Sequence, residues 1–296
     1  MRRSDEPLLR RLRRLDFCRE ATAVEPITSG ITNHNFVVRT GSDAYVARIG
    51  PARPLLGIDR RNEVVCHQAA GVWGLAPEVV HHEDGLLIIR FVDGRALEPA
   101  DVRAPQQLER LAGLLRHLHG AWDTLVGEVL YFCPFQTIRT YAHSVAALAA
   151  ERPADLPVML EDVRRLSRRI EPFRPVLCHN DLMPANLIDD GQRLWLVDWE
   201  YAGVGHPLFD LANASANAAL DEDQDRAFLA AYRHPAEVVP RELAEMTIFK
   251  TASLLREALW ATIQAVVSEI DFDYRRYADA NFEAYRQARS RLKSTP

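Results

Sequence analysis

Residues 178–186 read Cys-His-Asn-Asp-Leu-Met-Pro-Ala-Asn, and residues 197–200 read Val-Asp-Trp-Glu. The first run carries a carboxylate at Asp181 and an amide at Asn186, and the second carries a carboxylate at Asp198. Nucleotide-dependent phosphoryl transfer needs one group that accepts the proton of the attacking hydroxyl and groups that hold magnesium on the phosphates. We therefore predict that Asp181 is the catalytic base and that Asn186 and Asp198 bind Mg²⁺.

The local sequence predicts that these three side chains lie on neighbouring loops. Asp181 follows a short apolar strand and precedes a proline, which disfavours a helix there. The hairpin signal Asp190-Gly191 separates two further short strands and returns Asp198 to the neighbourhood of Asn186. Each residue taken alone fits an ordinary turn or strand end. The combination at this spacing favours the catalytic interpretation.

The order of the predicted elements divides the chain into two parts. Residues 1–93 are β-rich with one helix, and residues 94–296 are mainly helical, with a hinge over residues 90–94. This pattern predicts an α+β, bilobal fold with a ligand cleft between the lobes. The predicted strands are 24–29, 36–39, 44–49, 79–82, 86–91, 176–178, 187–189 and 194–197. The predicted helices are 59–70, 106–119, 136–150 and 156–170, and the remainder, 208–291, is predicted to be helical.

A loop between the first two predicted strands is a candidate for binding phosphate. Its small and hydroxyl-bearing residues allow backbone N–H groups to approach phosphate oxygens, although an ordinary polar hairpin fits the same pattern. We predict that Ser29, Gly30, Thr32 and Asn33 contact ATP from this loop.

A basic residue on the next strand supports the same interpretation. Protein kinases place a lysine there and pair it with a glutamate on the following helix. In this chain the candidates are Arg48 and Glu63, and arginine can clamp a phosphate while it stays charged. A surface ion pair is the alternative. The backbone of Arg90, Phe91 and Val92 is predicted to bond adenine at the hinge.

Composition excludes several other classes of protein. The 296 residues include 48% hydrophobic and 26% charged residues, as in an ordinary globular protein. A formal net charge of -5 argues against general nucleic-acid binding. The four scattered cysteines favour reduced thiols and a cytoplasmic location. The arginine-rich N-terminus lacks the apolar core of a signal peptide and is predicted to form an amphipathic helix, and no run is long enough to span a membrane.

The chain resembles the choline/ethanolamine kinase family, within the aminoglycoside-phosphotransferase-like, protein-kinase-like group. The carriers of the resemblance are the catalytic loop from His179, the segment 198–203, the segment 209–213, and the C-terminal segments 259–264 and 268–278. The resemblance implies a protein-kinase-like fold, ATP and Mg²⁺ as co-substrates, and phosphorylation of an amino-alcohol hydroxyl. It also implies that His179 and Asp210 support the catalytic loop, and it is compatible with a homodimer.

A cationic acceptor would be recognised by aromatic faces and carboxylates, because a quaternary ammonium has no N–H to donate. The predicted acceptor-binding residues are Glu200, Tyr201, Glu257, Trp260 and Tyr274. Family members often carry a further tryptophan where this chain has Glu257. The added carboxylate favours a primary amine or a different cation, so choline and ethanolamine both remain open.

Three other functions fit parts of this sequence. A protein kinase needs a long activation segment after the magnesium-binding aspartate, and here Gly203, Gly205 and Pro207 follow Asp198 almost at once. A kinase for thiamine, an aminoglycoside or a sugar-like alcohol would share the same catalytic loop. A pseudokinase would lack at least one of the three polar residues at positions 181, 186 and 198, and all three are present.

Overall fold

The computed structural model of the chain describes residues 10–19, 21–27, 32–41 and 43–294. The predicted contacts of Ser29 and Gly30, and most of the predicted N-terminal helix, lie outside these residues. Within them the chain forms a β-rich part followed by a mainly helical part, as the sequence predicts.

The N-terminal part is an antiparallel sheet with one helix beside it. The strand order is β1-β2-β3-β5-β4, and the alternating burial of β2 and β3 places Val38, Tyr45 and Ala47 in a small core. The helix begins after Asp59, whose carboxylate accepts the first free N–H groups of the helix. The elements are β1 Ala21–Ile27, β2 His34–Thr40, β3 Asp43–Ile49, α1 Arg60–Val72, β4 Val79–Glu83 and β5 Leu86–Arg90.

The C-terminal part is built around one long helix. Five of its helices begin at a proline, whose fixed φ and missing N–H suit the first helical position. The elements are β6 Arg95–Ala96, α2 Pro99–Val102, α3 Pro105–Ala121, α4 Pro134–Ala147, α5 Leu156–Ser167, β7 Val176–Cys178, β8 Leu187–Asp189, β9 Leu194–Leu196, β10 Gly203–Gly205, α6 Pro207–Ala218, α7 Glu222–Arg233, α8 Pro240–Val267 and α9 Tyr274–Ser294.

Helix α8 is the centre of the main core. It packs against α4, α6 and α9, and nearly all of its residues between 245 and 264 are buried. A helix that is buried on all sides is typical of the core of a large protein. Because the helix is enclosed, a charged residue within that span needs a buried partner.

Three short elements account for the main differences between the predicted and the observed secondary structure. The sequence analysis did not predict β6, α2 or β10, which are two to four residues long. Strand β10 pairs antiparallel with β7, and it passes so close to the chain at residue 130 that a Cβ atom on Gly203 would lie 2.7 Å from the Leu130 carbonyl oxygen. The glycine therefore permits the approach that holds the loop after Asp198 against β7.

The connection between the two parts runs from β5 to β6. A Cβ atom on Gly94 would lie 2.7 Å from the Asp189 carbonyl oxygen, so the connection lies directly against β8. The division of the chain into domains 1–93 and 94–296 stays a prediction. Among the helices of the described residues, none combines the length and the apolar character needed to cross a membrane.

Candidate active site

The loop that follows β7 is held by a buried aspartate from α6. Asp210 accepts the backbone N–H of His179 at 2.9 Å and that of Asn180 at 2.7 Å, and its carboxylate is also 3.1 Å from His119 Nε2. Asn180 has a φ of 63°, a left-handed conformation that asparagine tolerates. Asp210 thus fixes the backbone at the start of the loop, directly before Asp181.

His179 links this loop to the strand before Asp198. Its Nε2 lies 3.0 Å from the Val197 carbonyl oxygen, so it carries the proton and donates it there, while Nδ1 accepts the Asp181 backbone N–H at 3.3 Å. Burial lowers the pKa of His179, partly offset by Asp210, which favours the neutral ring that this bonding requires. Both contacts of the His179 ring are with backbone atoms of the site, and its supporting role stays a prediction.

Asp181 and Asn186 lie side by side on the same loop. The Asn186 amide donates Nδ2–H to the Asp181 carbonyl oxygen at 2.9 Å, which leaves its Oδ1 without a hydrogen bond among the described residues. Burial raises the pKa of Asp181 to about 7, with Arg256 opposing the shift and Glu257 and Glu200 adding to it. A carboxylate in this range suits the acceptance of a proton near neutral pH.

Asp198 points a free oxygen into the same space. It has a φ of 66°, and its buried Oδ1 has no hydrogen-bond partner among the described residues. Burial raises the pKa of Asp198 well above its usual range, the carboxylates of Glu200, Glu63 and Asp181 add to the shift, and Arg48 opposes it. A buried carboxylate beside other carboxylates and without a donor is suited to a bound cation.

Two cavities meet at this position. The smaller, of about 210 Å³, contains Asp181, and the larger, of about 410 Å³, lies under the N-terminal sheet. We call them the acceptor cavity and the nucleotide cavity, after the ligands that the sequence analysis predicts for their lining residues. Asn186 and Asp198 line both of them, together with Asn35 and Ala185. The predicted metal ligands therefore form the wall that the two cavities share.

Arg48 and Glu63 come together in the nucleotide cavity. Arg48 Nη2 lies 2.8 Å from Glu63 Oε2, while its buried Nε and Nη1 have no partner among the described residues. A guanidinium with two buried, unpaired nitrogens is ready to bind an anion. Burial raises the pKa of Glu63, and Arg48 and Arg60 oppose the shift.

The predicted hinge lines the outer end of the nucleotide cavity. The N–H groups of Arg90 and Phe91 donate to the carbonyl oxygens of Glu78 and Ala44. The N–H of Val92 donates to no group among the described residues, and Val92 lines the cavity. It is therefore available to a ligand.

Arg60, which the sequence analysis did not predict, joins the two parts of the chain. Its Nη1 lies 2.8 Å from Glu63 and 3.0 Å from Glu200, and its Nη2 lies 2.7 Å from Asn33 Oδ1. Asn33 Nδ2 also donates to Glu200 at 2.8 Å. Glu200, predicted to bind the acceptor, thus lies in a buried ion network and is not on the wall of the acceptor cavity, whereas Thr32 and Asn33 line that cavity.

Aromatic side chains form one side of the acceptor cavity. Trp260 lines it and carries a buried Nε1 with no partner among the described residues, and Tyr201 and Glu257 line it as well. Tyr274 lies behind Trp260, with ring centroids 5.9 Å apart. The structure adds two rings that were not predicted as site residues although they lie in the quoted C-terminal segments: Phe272 and Tyr277.

Arg256 is another lining residue that sequence reasoning missed. It is 2% exposed, its Nη2 bonds Asp181 Oδ1 at 3.0 Å, and the same nitrogen bonds Glu257 Oε1. Its Nη1 donates to the Asn180 carbonyl oxygen at 2.9 Å. The signal was available, because two adjacent charges interrupt an otherwise apolar stretch of α8.

Comparisons with known proteins show which family the chain resembles in sequence and in fold. A model of the phosphotransferase enzyme family matches residues 23–246. Ethanolamine kinase 2 from Homo sapiens is 28% identical over 294 residues, covering 90% of this chain and 76% of that protein. A solved choline/ethanolamine kinase family protein from Mesorhizobium loti has a TM-score of 0.80 and 28% identity, covering 96% of this chain and 94% of that one.

The choline kinase LicA from Streptococcus pneumoniae has a TM-score of 0.81 at 21% identity, covering 99% of this chain and all of that chain, and it has also been solved in complex with AMP. The comparisons confirm the predicted resemblance and the bilobal, protein-kinase-like fold.

Proposed function

The chain belongs to the phosphotransferase enzyme family, and we propose that it transfers the γ-phosphate of ATP to the hydroxyl of an amino alcohol, choline or ethanolamine. The observation that carries this proposal is the wall shared by the two cavities. Asn186 and Asp198 lie on that wall, and Asp181 lies on its acceptor side. A donor on one side and an acceptor on the other would meet where these side chains converge.

The nucleotide cavity is proposed to hold ATP. Arg48 offers two unpaired guanidinium nitrogens to phosphate oxygens, and Glu63 holds its third nitrogen in place. The free N–H of Val92, with the backbone of Arg90 and Phe91, is proposed to meet the adenine. The phosphate contacts of Ser29 and Gly30 stay predictions, whereas Thr32 and Asn33 line the acceptor cavity and do not line the nucleotide cavity. The AMP complex of LicA supports a nucleotide in this fold.

Asn186 and Asp198 are proposed to hold Mg²⁺. The unpaired buried oxygen of Asp198 and the free amide oxygen of Asn186 are the hard ligands that this ion prefers. When bound, Mg²⁺ neutralises charge that develops on the phosphate oxygens.

The proposed chemistry needs one proton acceptor. The acceptor oxygen bonds to the γ-phosphorus, the bond from that phosphorus to the bridging oxygen breaks with its electrons leaving on ADP, and the hydroxyl proton passes to Asp181 Oδ2. Oδ1 is held by Arg256, whereas Oδ2 accepts no hydrogen bond among the described residues. Most of the rate is supplied by positioning and charge neutralisation, and the base completes the transfer.

The acceptor's ammonium end is proposed to lie against Trp260 and Tyr201. Aromatic faces attract cations, and Glu257 supplies a carboxylate beside them. Tyr274 is proposed to support Trp260 from behind, and Glu200 is proposed to act on the site through Arg60 and Asn33.

ADP release across a panel of acceptors tests the proposal. We expect turnover with Mg²⁺ and choline or ethanolamine, and turnover about 10³-fold slower with the Asp181→Asn variant as the matched control. Turnover confined to thiamine, an aminoglycoside or a sugar would show that the proposed acceptor is wrong, while the proposed phosphoryl transfer would stand. ATP binding in a thermal shift without ADP release on any acceptor would indicate a pseudokinase.

Two further points stay proposals. All four cysteines are free thiols, and three of them are buried, which supports the proposed cytoplasmic location. The homodimer stays a prediction, and size-exclusion chromatography with light scattering would test it.

A further inference from the structure

One guanidinium lies beside the proposed base on the wall of the acceptor cavity. Arg256 lies on α8, and its side chain reaches back to the loop that carries Asp181. It is enclosed by the rings of Tyr201 and Phe132, at 5.1 Å and 5.9 Å from its carbon Cζ. A charge buried this fully is costly unless it is paired, so its partners determine what it can do.

The partners of Arg256 fix the loop at two neighbouring points. Nη1 binds the carbonyl oxygen of Asn180, and Nη2 binds Oδ1 of Asp181. A planar guanidinium that bonds backbone and side chain of successive residues sets both the course of the loop and the rotamer of Asp181. Oδ1 is thereby occupied, and Oδ2 is the oxygen left for a substrate hydroxyl.

The second carboxylate keeps Arg256 from acting as an anion site. Nη2 also binds Glu257 Oε1, so the guanidinium faces two carboxylates within the acceptor cavity. With both carboxylates ionised, these three groups carry one net negative charge. An anionic acceptor is therefore disfavoured, and the remaining role of Arg256 is a geometric one.

We propose that Arg256 is a positioning residue, which holds the carboxylate of Asp181 so that one oxygen faces the acceptor hydroxyl. The proposal rests on the proposed function for the identity of the base. It concerns the orientation of Asp181 and requires no contact between Arg256 and either substrate. A purely structural residue would change stability, whereas a positioning residue changes the rate of the bound complex.

Steady-state kinetics of Arg256→Ala tests the proposal. We expect kcat to fall about 100-fold, as displacement of a reacting group by about 1 Å can cause. The KM values for ATP and for the acceptor are expected to stay within about threefold, because Arg256 binds neither substrate. Millimolar guanidinium chloride should raise the kcat of this variant at least about tenfold, because the free ion can occupy the space that the side chain vacates.

Two further variants make the result decisive. Arg256→Lys keeps the charge but cannot form both bonds, so we expect its kcat to fall about tenfold. If the alanine variant does not fold, the kcat and KM values of the lysine variant test the proposal instead. Arg286→Ala, which removes an arginine from a surface pair with Asp155, should leave kcat unchanged. Unchanged kcat in both Arg256 variants, or a loss that appears only as raised KM, would overturn the proposal.

The reference rate separates this inference from the proposed function. Rates are compared with the unsubstituted chain on whichever acceptor supports ADP release, or on water if none does. Failure of choline and ethanolamine as acceptors would contradict the proposed function alone. If guanidinium chloride does not restore the rate of Arg256→Ala, and the KM values of that variant are raised, only the positioning role is contradicted.

Discussion

The nucleotide cavity and the acceptor cavity share a wall but are built differently. The nucleotide cavity is lined largely by β2, β3, β5 and the hinge, and its ion pair joins Arg48 and Glu63, which are 15 residues apart. The acceptor cavity brings the loop at Asp181 against α8, and its ion pair joins residues 75 positions apart. The first ion pair is set by local chain order, and the second is set by tertiary packing.

Because the two cavities are built from different elements, a substitution in one cavity should affect a different substrate from a substitution in the other. Groups on the shared wall should affect both substrates, groups in the acceptor cavity should affect transfer or acceptor binding alone, and groups under the N-terminal sheet should affect ATP. Kinetics with each substrate varied in turn therefore tests whether the two cavities act independently.

The largest effect is expected from Asp198→Ala on the shared wall. Loss of a metal-binding carboxylate should lower kcat/KM for both substrates by about 10⁴, since the ion stabilises the transferring phosphate by several kcal/mol. A magnesium titration of ATP binding should lose its dependence on the metal. Asp155→Ala, a surface carboxylate paired with Arg286, is the control. An unchanged magnesium titration would remove Asp198 from the proposed metal site.

The next largest effect is expected from Asp181→Asn on the acceptor side. Asparagine can keep the bond from Arg256 but cannot take the hydroxyl proton, so kcat should fall about 10³-fold. ATP affinity, measured by titration calorimetry, should stay nearly unchanged because Asp181 does not line the nucleotide cavity. Equal losses of ATP affinity and kcat would contradict the separation of the two cavities.

The sequence predicted the local parts of this arrangement well. Strand β7 and strand β8 begin and end where the apolar runs do, and Asp181, Asn186 and Asp198 lie on neighbouring loops that converge, as the hairpin spacing indicated. Arg48 faces Glu63 because a strand and the helix after it set that geometry. These features depend on spacing along the chain, which a sequence displays directly.

The remaining parts depend on packing between distant elements. Arg60 and Asn33 reach Glu200 only because the two parts of the chain pack against each other, and no periodicity marks them as partners. Arg256 likewise meets Asp181 only when α8 packs behind the loop. A charge inside an apolar helix signals that a partner exists, but it does not identify that partner.

A third prediction concerns the network that joins the lobes. Arg60→Ala leaves Glu63 and Glu200 buried without their shared cation, which should lower the free energy of unfolding by about 3 kcal/mol. The KM for ATP should rise, because Arg48 and Glu63 lose a neighbour, while the acceptor KM should change less. Urea unfolding and kinetics measure both.

Arg174→Ala is the control for that network, since it removes an exposed arginine from a surface pair with Asp123 and should leave the melting temperature nearly unchanged. Equal stability of the Arg60 and Arg174 variants would show that the lobes do not depend on the buried ions.

The smallest effect is expected from Trp260→Ala on the far wall of the acceptor cavity. Removal of an aromatic face from a bound cation should raise the acceptor KM about tenfold and leave the KM for ATP unchanged. Trp260→Phe keeps a face and should recover most of the affinity. Trp195→Ala, on the hairpin strand β9 with its indole bonded to Asp190, is the matched control and should alter neither KM. If Trp260→Ala raises both KM values alike, Trp260 is a core residue, and the acceptor must be held by the carboxylate of Glu257 and the rings of Phe272 and Tyr277.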